Sequence, residues 1–208
     1  MDSRKAQLEA WLPSQLAETY AACGWGDVGD GQLSAASADA SFRRYFRWRD
    51  GQRSLVVMDA PPENEDSTSF VRIAGLLAES GARTPTIHAA DLDQGFLLLE
   101  DMGTHTYLQS IEQGVSAAEL DRLYKEAITT LIRWQQTSRP GVLPDYDETI
   151  LRRELQLFPD WYVGRHLNRE FSAGEAQDWD ALCRVLLDSV LAEPQVFVHR
   201  DYMPRNLM

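Results

Sequence analysis

The sequence predicts an α+β fold of two lobes, with a strand-rich N-terminal half and a helical C-terminal half. Apolar residues alternate with charged ones over 41–49, and a turn at Asp50 joins this run to an apolar run over 54–60, which is typical of a β-hairpin. Over 117–136 and 174–193 the apolar residues instead follow the helical period of about 3.6 positions. The strands largely precede the helices, which favours segregated layers over an alternating α/β chain.

The N-terminal half begins with a helix and continues, after the hairpin, with another helix and two short strands. Leu8, Leu12 and Leu16 are spaced for one helical face, so we predict a helix over 2–22. Pro13 lies inside this pattern and predicts a break or restart, because proline lacks the backbone N–H. The other predicted elements of this half are a helix over 68–79 and strands over 86–92 and 95–101.

The C-terminal half carries helical patterns that end in a polar loop. A pattern over 148–167 is interrupted at Pro159 and Gly164, and Ser172 is the expected cap of the helix that follows. A short strand over 195–199 then leads into the loop. The predicted domains are a small lobe with an antiparallel sheet over 1–102 and a partial helical lobe over 103–208.

Composition and charge narrow the class of protein. The chain has 208 residues, 44% of them hydrophobic, which is enough for a sizeable core. Its net charge of −12 lacks the basic footprint of a nucleic-acid partner. Cys23 and Cys183 lie far apart without metal-ligand neighbours, which predicts reduced core thiols. The N-terminus has no apolar signal core and no segment has the length of a bilayer span, so we expect a cytoplasmic protein without a membrane partner. We also expect it to be a monomer.

The segment VFVHRDYMPRNLM contains the most distinctive polar loop of the chain. His199, Asp201 and Asn206 fit the pattern H-x-D-x-x-x-x-N of kinase-type phosphotransferases. An aspartate at this place accepts a hydrogen bond from a substrate hydroxyl, and an asparagine offers Mg²⁺ a neutral oxygen ligand beside the triphosphate. His199 is expected to brace the loop rather than to titrate. The motif is short, and its alternative is a polar turn after a buried strand.

Four stretches of the chain occur in the order expected of a known enzyme family. They are DASFRRYFR (39–47), VVMDAPPENED (56–66), GFLLLEDMG (95–103) and FVHRDYMPRNLM (197–208). Together they resemble the bacterial N-acetylmuramate/N-acetylglucosamine anomeric kinases, a branch of the aminoglycoside phosphotransferase and choline kinase family. The resemblance implies a protein-kinase-like, two-lobed fold whose C-terminal lobe is incomplete here. It also implies transfer of the ATP γ-phosphate to the anomeric hydroxyl of the amino sugar in peptidoglycan recycling, with ATP and Mg²⁺ as cofactors.

The resemblance assigns roles to individual residues. It makes Asp201 the catalytic base or hydroxyl-orienting carboxylate, Asn206 a Mg²⁺ ligand, and His199 a brace of the loop. The implied nucleotide contacts are Ser37, Ala40, Ser41 and Arg43 in a phosphate-covering loop over 37–48, and the backbone near Glu100 and Met102 in the hinge. The implied sugar contacts are Arg44, Trp161, Arg165 and His166. The alternatives are solvated strand arginines, a helix-packing tryptophan and a surface histidine.

The chain departs from the kinase pattern in two ways. Met58 takes the place of the strand lysine that contacts the α- and β-phosphates in kinases, so we expect Mg²⁺ and an arginine to neutralise the triphosphate. The second aspartate that chelates Mg²⁺ is expected after Asn206, and the sequence to Met208 does not contain it. We therefore expect a fragment of a longer kinase, with little or no phosphoryl transfer on its own.

Two alternatives stay open from the residues alone. The first is a kinase of another hydroxylated metabolite, such as an aminoglycoside or choline, which the acidic net charge permits. The second is a catalytically inactive, nucleotide-binding remnant, which Met58 favours. A substrate panel tests the first alternative, and nucleotide-induced stabilisation without turnover supports the second.

Overall fold

The structure is a computed structural model that describes residues 2–38, 42–51 and 53–208. It combines helices with one antiparallel sheet, which confirms the predicted α+β class. Two compact units make up the chain. One is Met1–Thr130 with Tyr202–Met208, and the other is Leu131–Asp201.

The predicted lobe boundary near residue 102 falls inside the first of these units. The assignment of lobes to 1–102 and 103–208 therefore stays a prediction. None of the helices in the described ranges is both long and apolar enough to span a bilayer.

The first unit contains a five-stranded antiparallel sheet. Its strands are β1 (Gln32–Ala38), β2 (Arg44–Arg49), β3 (Ser54–Asp59), β4 (Ile87–Asp91) and β5 (Phe96–Glu100), in the order β1-β2-β3-β5-β4. The predicted hairpin and the two later strands are confirmed. The sequence does not predict β1, because serine and alanine dominate it and both lack the shape that favours a pleated surface.

Four helices belong wholly or partly to this unit. They are α1 (Ser3–Cys23), α2 (Ser67–Glu79), α3 (Tyr107–Glu112) and α4 (Ala117–Gln136), the last of which continues into the second unit. The predicted break at Pro13 is wrong, because α1 runs through it. Packing of Leu8, Leu12 and Leu16 against the sheet holds the helix together where proline removes one hydrogen bond. Cys23, at the end of α1, is exposed rather than part of the core.

The two faces of the sheet pack against different helices. One face buries Trp48, Leu55 and Phe96 against α1. The other face buries Met58, together with Ala60, Leu97 and Leu99, and Phe70 of α2 packs onto this cluster. Because side chains alternate along a strand, consecutive residues within β2 or within β3 belong to opposite faces of the sheet.

The second unit is helical. It contains the end of α4, then α5 (Glu148–Leu157), a π-helix (Phe158–His166) and α6 (Ala173–Leu191). α5 ends at Leu157, close to the predicted interruption at Pro159, and the chain continues as a π-helix that runs through Pro159 and Gly164. Ser172 caps α6 in a capping box with Glu175, as predicted for the cap.

The predicted strand over 195–199 is wrong, since this segment is not part of a sheet. Its buried residue, Phe197, donates its backbone N–H to Ser138 Oγ at 2.7 Å, and its ring centroid lies 4.9 Å from that of Trp134. Val196 and Val198 on either side are exposed. The segment that precedes the polar loop is therefore held by one buried side chain, Phe197, and not by pairing with another strand.

Candidate functional site

The end of β3 carries two buried residues of opposite character. Met58 is fully buried on the α2 side of the sheet, among Leu97 and Leu99. Asp59 is also fully buried, and alternation along the strand turns it to the α1 side. Met58, which is predicted to take the place of the kinase lysine, is thus an apolar side chain and carries no charge.

Asp59 is held by two arginines on the α1 side of the sheet. Arg4 Nε donates to its Oδ1 at 2.9 Å, and Arg44 Nε donates to its Oδ2 at 3.0 Å. Arg44 also pairs with Asp2, and this hydrogen bond lowers the pKa of the Asp2 carboxyl. The structure therefore places Arg44, which the sequence suggests as a sugar contact, in an ion-pair network with α1.

Arg43 lies on the other side of the sheet. Its Nε is 3.1 Å from Glu65 Oε2, and its guanidinium carbon is 5.6 Å from the centroid of the Phe70 ring. Glu65 Oε1 also accepts a hydrogen bond from the backbone N–H of Phe42 at 3.1 Å. Of the other residues predicted for the phosphate-covering loop, Ser37 pairs with Tyr45 at the end of β1, and Ala40 and Ser41 lie outside the described residues.

The predicted hinge begins where β5 ends. Asp101 accepts hydrogen bonds from Arg47 Nε at 2.7 Å and Arg47 Nη2 at 2.9 Å, and one from the Gly103 N–H at 3.0 Å. Arg47 Nη2 also donates to the Gly103 carbonyl at 2.8 Å. Burial alone raises the pKa of the Asp101 carboxyl, but the hydrogen bonds from Arg47, Ser54 and Gly103 outweigh it and lower the pKa below its ordinary value.

The sequence does not predict the ion pair of Arg47 with Asp101, which we call the clamp. The two residues are 54 positions apart, so no local pattern in the sequence joins them. Glu100, beside them, uses its N–H for the Thr86 carbonyl at 2.8 Å and pairs its side chain with Arg83 at 2.9 Å. Met102, the other predicted hinge residue, is half-buried.

The polar loop passes from the second unit to the first between Asp201 and Tyr202. In the second unit, Arg200 has a φ of 72°, in the left-handed region that few non-glycine residues adopt. Its guanidinium pairs with Glu154 at 2.8 Å. Strained backbone of this kind recurs at functional sites, and the ion pair fixes it here.

Two further residues of the loop, Asp201 and His199, also lie in the second unit, and both have roles predicted from the sequence. Asp201 is exposed. His199 is half-buried, and burial lowers the pKa of its imidazole even though the charge of Asp201 acts in the opposite direction. At neutral pH the imidazole is therefore uncharged, which agrees with a bracing role rather than with proton transfer.

The rest of the loop is tied to helices of the first unit. Tyr202 Oη donates to the Ala127 carbonyl at 2.6 Å, and the Tyr107 N–H donates to the Leu207 carbonyl at 2.9 Å. Between these anchors a 3₁₀ turn, Pro204–Asn206, is closed by the Asn206 N–H on the Met203 carbonyl at 2.9 Å. Asn206 is exposed, and its amide oxygen is the kind of neutral ligand that Mg²⁺ accepts.

The π-helix presents aromatic and basic side chains. Trp161 is 56% exposed, and the Arg165 guanidinium carbon lies 4.2 Å from the centroid of its ring. His166 stacks on Tyr162, with ring centroids 5.4 Å apart. The predicted alternative of a helix-packing tryptophan does not match this exposure. Within the described residues, no group of three or more His, Cys, Asp or Glu side chains is placed to hold a metal ion.

A five-stranded antiparallel sheet with a helix on each face, followed by helices and an H-x-D-x-x-x-x-N loop, defines a protein-kinase-like phosphotransferase fold. A sequence profile of the family described as "Phosphotransferase enzyme family" matches residues 32–208. The chain belongs to this family.

Named relatives agree with the predicted branch of the family. The N-acetylmuramate/N-acetylglucosamine kinase of Pseudomonas aeruginosa is 54% identical over 207 residues, which cover 100% of this chain and 60% of the relative. The kinase of the same name from Pseudomonas putida is 49% identical with the same coverage, and that from Neisseria meningitidis is 39% identical over 99% of this chain and 58% of the relative. The chain thus spans about 60% of the length of the curated relatives it matches.

Proposed function

We propose that the chain carries the nucleotide-binding sheet and the catalytic loop of an ATP-dependent sugar kinase. The reaction is transfer of the γ-phosphate to the anomeric hydroxyl of N-acetylmuramate or N-acetylglucosamine. The observation that carries this proposal is the 54% identity to a kinase named for these sugars, over a range that includes the whole polar loop. Its place in peptidoglycan recycling, in the cytoplasm and as a monomer, is part of the same proposal.

The loop supplies the reacting groups. Asp201 is exposed and accepts a hydrogen bond from the sugar hydroxyl, which aims the oxygen at the γ-phosphorus. Asn206 would hold Mg²⁺, which would supply positive charge to the triphosphate. His199 stays neutral and braces the loop, because burial lowers the pKa of its imidazole. Arg200 holds its end of the loop through Glu154.

The nucleotide is bound by the sheet and the hinge. We place the phosphates at the segment that contains Ser37, Ala40, Ser41 and Arg43, because small residues let backbone N–H groups approach phosphate oxygens. We place the adenine edge at the backbone of Met102, near Glu100, whose own N–H already donates to the Thr86 carbonyl. The clamp of Arg47 and Asp101 supports this assignment by holding the next backbone unit, Gly103, on both its N–H and its carbonyl.

The sugar is bound by the π-helix. Trp161 offers an exposed ring face for stacking, and Arg165 or His166 supplies a donor for a hydroxyl or for the lactyl carboxylate. Arg44 has less support in this role, because it already pairs with Asp2 and Asp59.

The test measures ADP release with N-acetylmuramate, N-acetylglucosamine, an aminoglycoside and choline as acceptors. The chain is assayed alone and as an extended protein, in which it is joined to the part of the Pseudomonas aeruginosa kinase that the alignment leaves uncovered. We expect the extended protein to phosphorylate the amino sugars faster than the chain alone, because a second Mg²⁺ carboxylate is worth several kcal/mol of transition-state stabilisation. Asp201→Asn should abolish turnover without changing the far-UV circular dichroism spectrum.

Three outcomes contradict parts of the proposal. Phosphorylation of the aminoglycoside or choline in preference to the sugars overturns the acceptor. ADP-dependent stabilisation without turnover in the extended protein supports the inactive, nucleotide-binding alternative. Equal rates for the chain alone and the extended protein contradict the expectation that the chain is a fragment of the active enzyme.

A further inference from the structure

The position of the strand lysine of kinases is closed in this chain. Met58 is uncharged and fully buried among Leu97, Leu99 and Ala60, so this position supplies no cation to a phosphate. In kinases that lysine contacts the α- and β-phosphates and is held by a glutamate of the helix that follows. A nucleotide bound to this sheet therefore needs a cation from a neighbouring position, with a carboxylate that positions it.

Strand register identifies the positions that share a face with Met58. Tyr45 lies directly opposite Met58 in the β2–β3 ladder. Because side chains alternate, Arg43 and Arg47 lie on the same side of the sheet as Tyr45, whereas Arg44 lies on the other. The contacts agree, since Arg43 stacks on Phe70, which packs against the Met58 cluster, and Arg44 pairs with Asp59.

Of these two arginines, Arg47 is committed to the hinge. Two of its nitrogens donate to Asp101, and its side chain is 15% exposed. Arg43 lies at the opposite end of β2, next to the segment predicted to cover the phosphates. Its side chain is 26% exposed, which keeps part of the guanidinium accessible to a ligand.

Glu65 holds Arg43 and the backbone beside it at the same time. One carboxylate oxygen is 3.1 Å from Arg43 Nε, and the other accepts the Phe42 N–H at 3.1 Å. Glu65 directly precedes Asp66, the N-cap of α2, so the pair joins the start of β2 to the start of this helix. Arg43 and Glu65 thus resemble the lysine and glutamate of kinases, since a cation beside the sheet is held by a carboxylate next to the helix that follows.

We propose that Arg43, positioned by Glu65, replaces the strand lysine as the cation that contacts the nucleotide phosphates. This inference rests on the proposed function, since it presupposes that the sheet binds ATP. A guanidinium suits the role because it stays charged and can hold two phosphate oxygens at once, while Glu65 lies 3.1 Å from its Nε. Glu65 is a positioning residue, and it touches the nucleotide only through Arg43.

The test compares the affinities for ADP and adenosine by calorimetry, with the chain alone and with the extended protein. We expect Arg43→Met to weaken ADP binding by about 10- to 100-fold, the loss of a hydrogen bond to a charged group, and to leave adenosine binding unchanged. Arg43→Lys should retain most of the affinity for ADP. Glu65→Gln should weaken ADP binding less than Arg43→Met, and the two substitutions should not be additive.

Arg49→Met is the matched control, since Arg49 is an exposed arginine at the other end of β2, and it should leave ADP binding unchanged. If Arg43→Met does not fold, Arg43→Gln takes its place, with the circular dichroism spectrum as the check. Unchanged affinity for ADP in the folded variant overturns the inference, and so does an equal loss for ADP and adenosine. Failure of the unsubstituted chain and of the extended protein to bind ADP overturns the proposed function as well.

Discussion

Arg4 of α1 donates a 2.9 Å hydrogen bond from Nε to the fully buried carboxylate of Asp59, at the end of β3. The two residues are 55 positions apart, so the pair fastens the first helix to the centre of the sheet. A buried carboxylate needs such partners, since removing one leaves an uncompensated charge. Arg44 is the second partner, and it donates a hydrogen bond to the other oxygen of the same carboxylate.

We expect Arg4→Met to lower the free energy of unfolding by about 1–3 kcal/mol, because Arg44 continues to pair with Asp59. Asp59→Leu removes the carboxylate from both arginines, so Arg4→Met should cost much less when combined with it. Urea denaturation measures these values. Arg49→Met, at an exposed site, should change the free energy by about 0.5 kcal/mol at most. A cost for Arg4→Met that persists in the absence of Asp59 contradicts the pairing.

Asp101→Asn should destabilise the chain far more than Glu100→Gln. Asp101 is nearly buried and accepts charge-assisted hydrogen bonds from Arg47, so we expect a loss of about 1–3 kcal/mol. Glu100 pairs with Arg83, whose side chain is 76% exposed, and such pairs contribute about 0–1 kcal/mol. Its carboxylate also accepts hydrogen bonds from Thr86, which the amide oxygen of glutamine can accept as well. Urea denaturation of both variants at neutral pH makes the comparison. Equal losses of unfolding free energy in the two variants would show that burial does not make the pair of Arg47 and Asp101 more stabilising than the exposed pair.

Stability should fall as the pH decreases below about 6.5, before the carboxyl groups titrate. Burial lowers the pKa of the His199 and His88 imidazoles in the folded chain. The unfolded chain therefore binds protons first as the pH falls through about 6.5, which favours unfolding. The free energy of unfolding is measured at pH 7.5 and 5.5. His199→Gln should reduce the difference between the two values, and His199→Gln combined with His88→Gln should reduce it further; an unchanged difference contradicts the assigned pKa shifts.

Trp161→Ala should weaken sugar binding in the extended protein and leave ATP binding intact. Loss of one stacking aromatic ring is worth about 0.5–1.5 kcal/mol, or about 2- to 13-fold in affinity. Steady-state kinetics should show a raised KM for the amino sugar at an unchanged KM for ATP. Val185→Ala, on α6 and 67% exposed, is the control for loss of exposed apolar surface. A KM for the sugar that stays the same in Trp161→Ala removes the π-helix from the acceptor site.

Periodicity is enough to predict the long elements of this chain. β2 buries alternate residues, and α4 and α6 bury residues at helical spacing, which are Leu123, Ala127 and Trp134 in α4 and Cys183 and Leu187 in α6. These spacings are visible in the sequence. β1 escapes prediction because its residues are small and it depends on pairing with β2. The apolar run over 195–199 misleads for the opposite reason, since only Phe197 is buried and its neighbours face outward.

The candidate site is predictable where it is local and not where it depends on register. The loop around Asp201 and Asn206 is a contiguous motif, so its residues can be found in the sequence without the fold, and their roles stay predictions. Alternation alone puts Arg43 and Arg44 on opposite sides of the sheet, but which of them shares a face with Met58 depends on pairing with β3, which the sequence does not show. The bond between Arg47 and Asp101 likewise joins two segments that only the folded sheet brings together.

The helix α1 precedes the range matched by the family profile, which begins at residue 32. It nevertheless supplies Leu8, Leu12, Leu16 and Tyr20 to the largest buried cluster, along with Arg4 to Asp59. A chain trimmed to the matched range would open one whole face of the sheet to water and leave a buried carboxylate without one of its counter-ions. The smallest portion able to fold cooperatively is therefore larger than the range that the family profile matches.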